Sequence, residues 1–162
     1  MSFGKLGYKL GHDEGDGVWF LGTLMTIKAG HADTGGAYTL VEQTTPPLFG
    51  PPLHVHHAED EAFYILDGAL HVVCGDQGFD AGPGSFVMLP RGIPHAFQVG
   101  NNGARLLQIT SPAGFESFAH EVGNPATSAE LPPPAAPDIA SLVAAAERHG
   151  STIVGPPLAS HD

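Results

Sequence analysis

The sequence is poor in basic residues and almost lacks cysteine. Six Lys plus Arg stand against 17 Asp plus Glu in 162 residues, a formal net charge of −11. Nucleic acid and anionic membrane surfaces require a clustered basic footprint, so neither is expected as a partner. Cys74 is the single cysteine, which excludes an intrachain disulfide framework and makes a reducing compartment the expected one. No apolar run approaches membrane-spanning length, and the opening residues MSFGKLGYKLGHDEGDG lack the continuous apolar segment of a secretory leader. Together these absences predict a soluble cytoplasmic protein. Charged residues are sparse too, at 14%, but a hydrophobic content of 42% argues against disorder.

What the chain has is glycine (22) and proline (15) between short apolar runs. Its length suits one domain with its own core. Val18–Lys28, Ala37–Thr45, Glu61–Leu66, Ala69–Cys74, Ser85–Leu89, His95–Val99 and Ala104–Thr110 read as strands, rich in β-branched and aromatic residues and punctuated by turns. No helical period appears between Val18 and Thr110, so the expected fold class is all-β, an antiparallel sandwich or barrel. Beyond Ser111 the character changes. PAGFESFAHEV suits a short helix, and LPPPAAPD is a stiff connector, because each proline fixes φ and lacks an N–H. Asp138 is placed as the N-cap of a helix that ends at Gly150, with Ile139, Leu142, Val143 and Ala146 on its apolar face. The tail STIVGPPLASHD is expected to run back over the surface. The expected organisation is an N-terminal arm over 1–17, a barrel over 18–122, and a connector, helix and tail over 123–162.

The chemically dense stretch is GPPLHVHHAEDEAFYILDG, from Gly50 to Gly68. His54 and His56 are two residues apart and share one face of a strand. Three acids, Glu59, Asp60 and Glu61, follow. A second segment, GPGSFVMLPRGIPHAFQV, delivers His95 at a turn from which a strand can lie opposite the first. A lone histidine on an apolar strand is usually a satisfied core or surface residue, and an acidic cluster is usually a solvated turn. The combination of HxH, a carboxylate, an apolar strand and a second turn carrying His is a different matter. Three imidazoles and one carboxylate suit a single divalent Fe, Mn, Ni, Co or Zn, with one or two positions left for water, substrate or O₂. Phe63, Ile65, Met88, Phe97 and Val99 are assigned to an apolar substrate pocket, though each would equally serve a barrel core. Glu42 is either a second carboxylate in that pocket or part of its rim. His57 and His71 are expected to face away from the site, Cys74 to be a small core residue, and His12, His31, His120, His149 and His161 to be surface residues.

Here the sequence resembles a cupin. The family's first motif, HxH, three or four residues, Glu, six residues, Gly, is matched by His54-Val55-His56, then Glu61, then Gly68. Its second motif is matched by Gly84, SFVML, Pro90-Arg91-Gly92, Ile93-Pro94 and His95. Two departures occur: Gly50 stands three residues ahead of the first histidine rather than five, and Val99 occupies the place of a terminal Asn that is not a ligand. The resemblance implies a double-stranded β-helix, a jelly-roll barrel, with His54, His56, Glu61 and His95 as ligands. Strand parity alone does not choose Glu61 over its acidic neighbours; the resemblance does. EQTTPPLFGPPLHVHHAEDEAFYILDG further resembles the small single-domain group similar to quercetin dioxygenases. That implies a metal-dependent dioxygenase acting on an aromatic or polyphenolic small molecule, with Glu61 as ligand and catalytic proton acceptor. Two alternatives stay open, since one fold hosts many chemistries: a non-redox isomerase, cyclase, epimerase or decarboxylase using a Lewis-acid metal, and a non-catalytic small-molecule binder. Both faces of EAFYILDG and ALHVVC are apolar, so the face outside the barrel needs a cover, and a homodimer is expected.

Overall fold

Leu21 and Gly22 show how turn chemistry outranks strand propensity in this chain. The expected single strand over Val18–Lys28 is instead a hairpin, β1 (Asp16–Phe20) and β2 (Thr23–Ala29). Both linking residues have positive φ, 50° and 82°, the primed geometry whose twist matches that of the paired strands. The computed structural model describes residues 6–160. Of the expected N-terminal arm, residues 1–5 lie outside that range, as does His161. A four-residue helix α1 (His31–Thr34) interrupts the expected turn, and β3 (Thr39–Thr45) and β4 (Pro52–His56) follow.

Two long strands organise the rest. The strands expected on either side of Gly68 are one, β5 (Asp60–Cys74), and β6 (Gln77–Ala81), not among the expected strands, follows it. After β7 (Phe86–Leu89), the strands expected at 95–99 and 104–110 also merge, into β8 (His95–Ser111). β5 and β8 run antiparallel from Asp60↔Ser111 to Cys74↔His95. Helix α2 (Phe115–Val122), the short β9 (Asn124–Pro125), helix α3 (Ile139–Arg148) and β10 (Ser151–Pro157) complete the chain. One end of the β5–β8 ribbon continues a sheet β9–β1–β2–β3–β8–β5–β7; the other continues β10–β4–β8–β5–β6. The two faces enclose a jelly-roll barrel.

The ribbon bends between its halves, where its register shifts around Gly68. Gly68 has φ +79°, and a Cβ there would sit 2.2 Å from the Gly103 carbonyl oxygen. Only glycine permits that approach. Alternation along both strands then sorts core from surface. Phe63, Ile65, Leu70, Val72, Val99 and Leu106 fill one cluster; Val18, Phe20, Met25, Ile27 and Val41 form a second, closed by Phe115 and Phe118 of α2. Outside, Phe86, Met88 and Tyr64 are exposed side by side on β7 and β5, with Tyr64 paired to Phe86.

The C-terminal segment is built into the barrel. The Trp19 indole N–H donates to the Glu130 carbonyl oxygen at 2.9 Å, which fixes the proline-rich connector. Asp138 caps α3 by accepting from the Ser141 N–H at 3.1 Å. The buried face of α3 is Leu142, Ala145 and Ala146, whereas Ile139 is exposed and Val143 half-buried. The expected stripe is therefore rotated, because α2 and β10 pack against the later turns of the helix. The tail does not simply cross the surface: β10 pairs with β4, and Ser151 lies opposite His56.

Candidate metal centre

His54 and His56 alternate with buried Val55 on β4, so both imidazoles enter the barrel while Val55 points the other way. His95 opens β8 directly opposite His54. Glu61, near the start of β5, shares a face with Phe63 and Ile65. The turn that carries His95 is fastened to the first motif. The Arg91 guanidinium donates from Nε and Nη2 to the two Asp60 oxygens at 3.2 and 3.1 Å, and the Gly92 N–H donates to the His56 carbonyl at 2.7 Å. Arg91 holds the Asp60 carboxyl below its ordinary range through these bonds. Asp60 thus positions the turn and takes no part in coordination.

One ligand atom from each of His54, His56, Glu61 and His95 lies within 4.8 Å of all the others. The hydrogen bonds fix which atoms converge. His54 Nδ1 lies 2.7 Å from the Pro52 carbonyl and His95 Nδ1 lies 3.2 Å from that of Ile93. A carbonyl only accepts, so both Nδ1 atoms carry a proton and both Nε2 atoms face inward, the side from which a metal would be bound. His56 Nδ1 sits 2.9 Å from Ser151 Oγ and 3.4 Å from Glu59 Oε2. Its buried Nε2 has no hydrogen-bond partner and lies 3.6 Å from Glu61 Oε2. Glu61 Oε2 is also 2.8 Å from His95 Nε2. Three imidazole nitrogens and one carboxylate brought together in this way fit a transition metal.

The electrostatics agree with that reading. Burial pushes the Glu61 carboxyl up, but the adjacent His56 and the hydrogen-bonded His95 outweigh it and hold Glu61 ionised, well below the carboxylate range. Burial, only partly opposed by Glu61, lowers His54 to about 4, which keeps it a neutral ligand. For His56 burial acts downward too, but Glu59 and Glu61 override it and raise the group to about 10. Without a metal, His56 therefore carries the positive charge that the cluster needs.

Beside the cluster lies a cavity of about 70 Å³ walled by Phe20, Phe49, Phe97, Phe115, Phe118 and Leu142, among others. Of the residues assigned to a pocket from sequence, Phe97 lines it. Phe63, Ile65 and Val99 are packed in the adjoining core instead. Met88 is a correction: Glu61 pairs with Leu89 and Ala62 with Met88, so Val87 and Leu89 point in while Met88 is 45% exposed on the outer face. Glu42 is another. It faces away from the cavity and binds His12 at 2.5 Å and Arg105 at 3.2 Å. His57 bonds Thr152, outside the cluster, and Cys74 is buried. His120 and His149, assigned only to the surface, have acidic partners in Asp16 and Glu121, and the outward-facing His71 pairs with Asp80.

Sequence reading missed three polar residues. Gln43 and Gln108 line the cavity, and Ser151 both lines it and bonds His56. The available signal was a polar side chain at an inward position of a strand, as in Leu106-Leu107-Gln108-Ile109-Thr110, where residues 106, 108 and 110 are all buried. Ser151 offered no such signal, since β10 was not expected to be a strand.

Comparison with known proteins places this architecture. Residues 41–110 match the family described as Cupin domain. The chain is 27% identical over 137 residues, 85% of its length, to quercetin 2,3-dioxygenase of Bacillus subtilis (strain 168). It spans 41% of that curated relative. Among solved structures, KdgF from Halomonas sp. aligns with a TM-score of 0.54 at 18% identity, over 59% of this chain and 85% of that one. Pac13, described as a nucleoside dehydratase and known from Streptomyces, aligns with a TM-score of 0.55 at 14% identity, over 69% and 88%. These structural likenesses bear on the fold.

Proposed function

The chain is a cupin, and from that premise we propose that it is a metal-dependent dioxygenase acting on an aromatic enol or phenol. The observation that carries the reading is the set of three histidine nitrogens and Glu61 Oε2 within 4.8 Å, opening onto an aromatic-walled cavity. Similarity to the Bacillus quercetin 2,3-dioxygenase supports the choice of reaction class. His54, His56, Glu61 and His95 would hold the metal, which when bound supplies a Lewis-acidic, redox-capable centre with positions left for exchange. The chain's own residues do the rest. Phe97, Phe49 and the α2 phenylalanines hold a flat ring and exclude water. Glu61 is the carboxylate placed to accept the proton of the substrate hydroxyl.

The cavity of about 70 Å³ is small beside the ~300 Å³ of an ordinary ligand site. A groove of about 710 Å³ beneath the proline-rich connector adjoins it, and the two share Leu21, Pro51, Pro52 and Leu142 in their walls. A polyphenol would occupy both spaces with Leu142 displaced. A non-redox reaction on a substrate small enough for the inner cavity is the second reading, and that volume favours it. Oxygen-electrode measurements on metal-reconstituted protein with 3-hydroxyflavone and with smaller phenols decide between them. Uptake of O₂ in step with loss of substrate is expected; turnover at equal rates under air and nitrogen would refute the dioxygenase. We also propose that the exposed Phe86, Met88 and Tyr64 are covered by a second copy of the chain. Sedimentation of the wild type as a dimer and of Phe86→Asp as a monomer is the expected pair of results.

A further inference from the structure

Gln108 sits inside the barrel on β8, opposite Phe63 of β5 and Val41 of β3. Two residues along the same face, Thr110 lies opposite Glu61, so Gln108 is a diagonal neighbour of the metal cluster on the barrel wall. The residue is only 4% exposed, it lines the cavity, and its carboxamide has no hydrogen-bond partner among the described residues. Gln43, the other buried amide of the cavity, is engaged: its Nε2 donates to Thr23 Oγ1 at 3.2 Å. A buried amide that bonds nothing in the protein is costly unless whatever fills the cavity satisfies it. Of the other polar residues in its walls, Ser151 is engaged by His56 and the rest, Gln43 apart, belong to the cluster; the remaining walls are aromatic or aliphatic.

We propose that Gln108 is the specificity-determining contact of this cavity: its carboxamide hydrogen-bonds a second oxygen of a ligand whose first oxygen is held at the His54, His56, Glu61 and His95 cluster. The inference rests on reading that cluster as a metal centre, but not on the reaction being oxidative. The two anchor points lie apart on the wall, so the ligand class is a small planar ring bearing two non-adjacent oxygens. An adjacent pair would bind the metal together and leave the amide empty. A site built to hydrogen-bond a ligand oxygen also rejects the analogue that lacks it, because the buried amide is then stranded.

The test uses the full chain loaded with Zn²⁺, which is redox-inert, titrated calorimetrically under nitrogen. The probes are phenol, 1,3-dihydroxybenzene and 1,4-dihydroxybenzene. The better diol is expected to bind wild type about tenfold more tightly than phenol, beyond the twofold that two equivalent hydroxyls give by statistics. In the Gln108→Leu variant, of similar volume, the ratio should fall to about twofold while the phenol affinity holds. One Zn²⁺ bound per chain reports an intact site; if Gln108→Leu does not fold, Gln108→Met replaces it. A wild-type ratio of twofold or less, failure of all three probes to bind, or a large ratio that survives the substitution would assign the amide to ordered water and overturn the proposal. Failure of oxygen uptake leaves this binding result untouched. Failure of wild type to take up Zn²⁺ removes the metal centre, and the proposal with it.

Discussion

Loading the site with metal at pH 8 should release about one proton, and that proton should come from His56. Glu61 is already ionised there, and His54, lowered to about 4, is already neutral. His56 at about 10 is the group that must give up a proton before its Nε2 can coordinate. An unperturbed imidazole would release only about 0.03 of a proton at this pH. Competition with that proton weakens apparent metal affinity about 100-fold at pH 8, and His56 alone makes the logarithm of the affinity climb about one unit per pH unit up to about pH 9. Calorimetric titration with Co²⁺ under nitrogen, in buffers of differing ionisation enthalpy, reads the proton count as the slope of heat against that enthalpy. Glu59→Gln removes one of the two carboxylates that raise His56, so it should reduce the release at pH 9. A wild-type release below about 0.2 at pH 8 would show that His56 is not the charged partner and would refute the reasoning.

The same groups set the pH profile of the metal-free fold. His54, lowered, lets the unfolded chain bind more protons between about pH 4 and 6.5, so stability rises with pH across that window; Glu61, also lowered, adds to the loss on the acid side. His56, raised, is stabilising below about 6.5 and its contribution is lost as pH climbs towards about 10, so the thermal midpoint should peak near pH 6.5 and move upward when metal is bound. Ser151→Ala removes a hydrogen bond that orients His56 and should weaken metal affinity about tenfold in competition with a chromophoric chelator, with little change in the circular dichroism spectrum. Leu142→Ala should cost about 3 kcal/mol by denaturant titration and lower KM for a bulky flavonol more than for phenol, because Leu142 is buried and shared by the inner and outer cavities. Gly68→Ala forces a Cβ against the Gly103 carbonyl in a left-handed conformation, so a loss above about 4 kcal/mol, seen as insoluble expression, is expected.

The sequence by itself determined the fold class, the shared face of His54 and His56 and the cap of α3, while Glu61 was picked from its acidic neighbours by the resemblance to cupins. These depend on local rules: alternation puts His54 and His56 on one face, glycine and proline end strands, and an aspartate before an apolar run begins a helix. It also misjudged continuity. Gly68 and the 100–103 segment look like turns to any local reading, and only pairing along the whole of β5 and β8 makes them bends within one ribbon. Face assignment followed the same logic. Met88 and Glu42 had plausible parity on their own strands, yet register against β5, β2 and β8 turns both outward. Tertiary structure alone decided what stands behind and before the ligands. The Ser151 hydroxyl reaches His56 from 95 residues away. The Nδ1 protons of His54 and His95 face carbonyls only two residues back, and the size of the cavity is set by α2 and α3 closing over it. The HxH pair is written in a short periodic pattern; the hydroxyl beside His56, the enclosure of the cavity and the placement of Gln108 arise from contacts between distant segments.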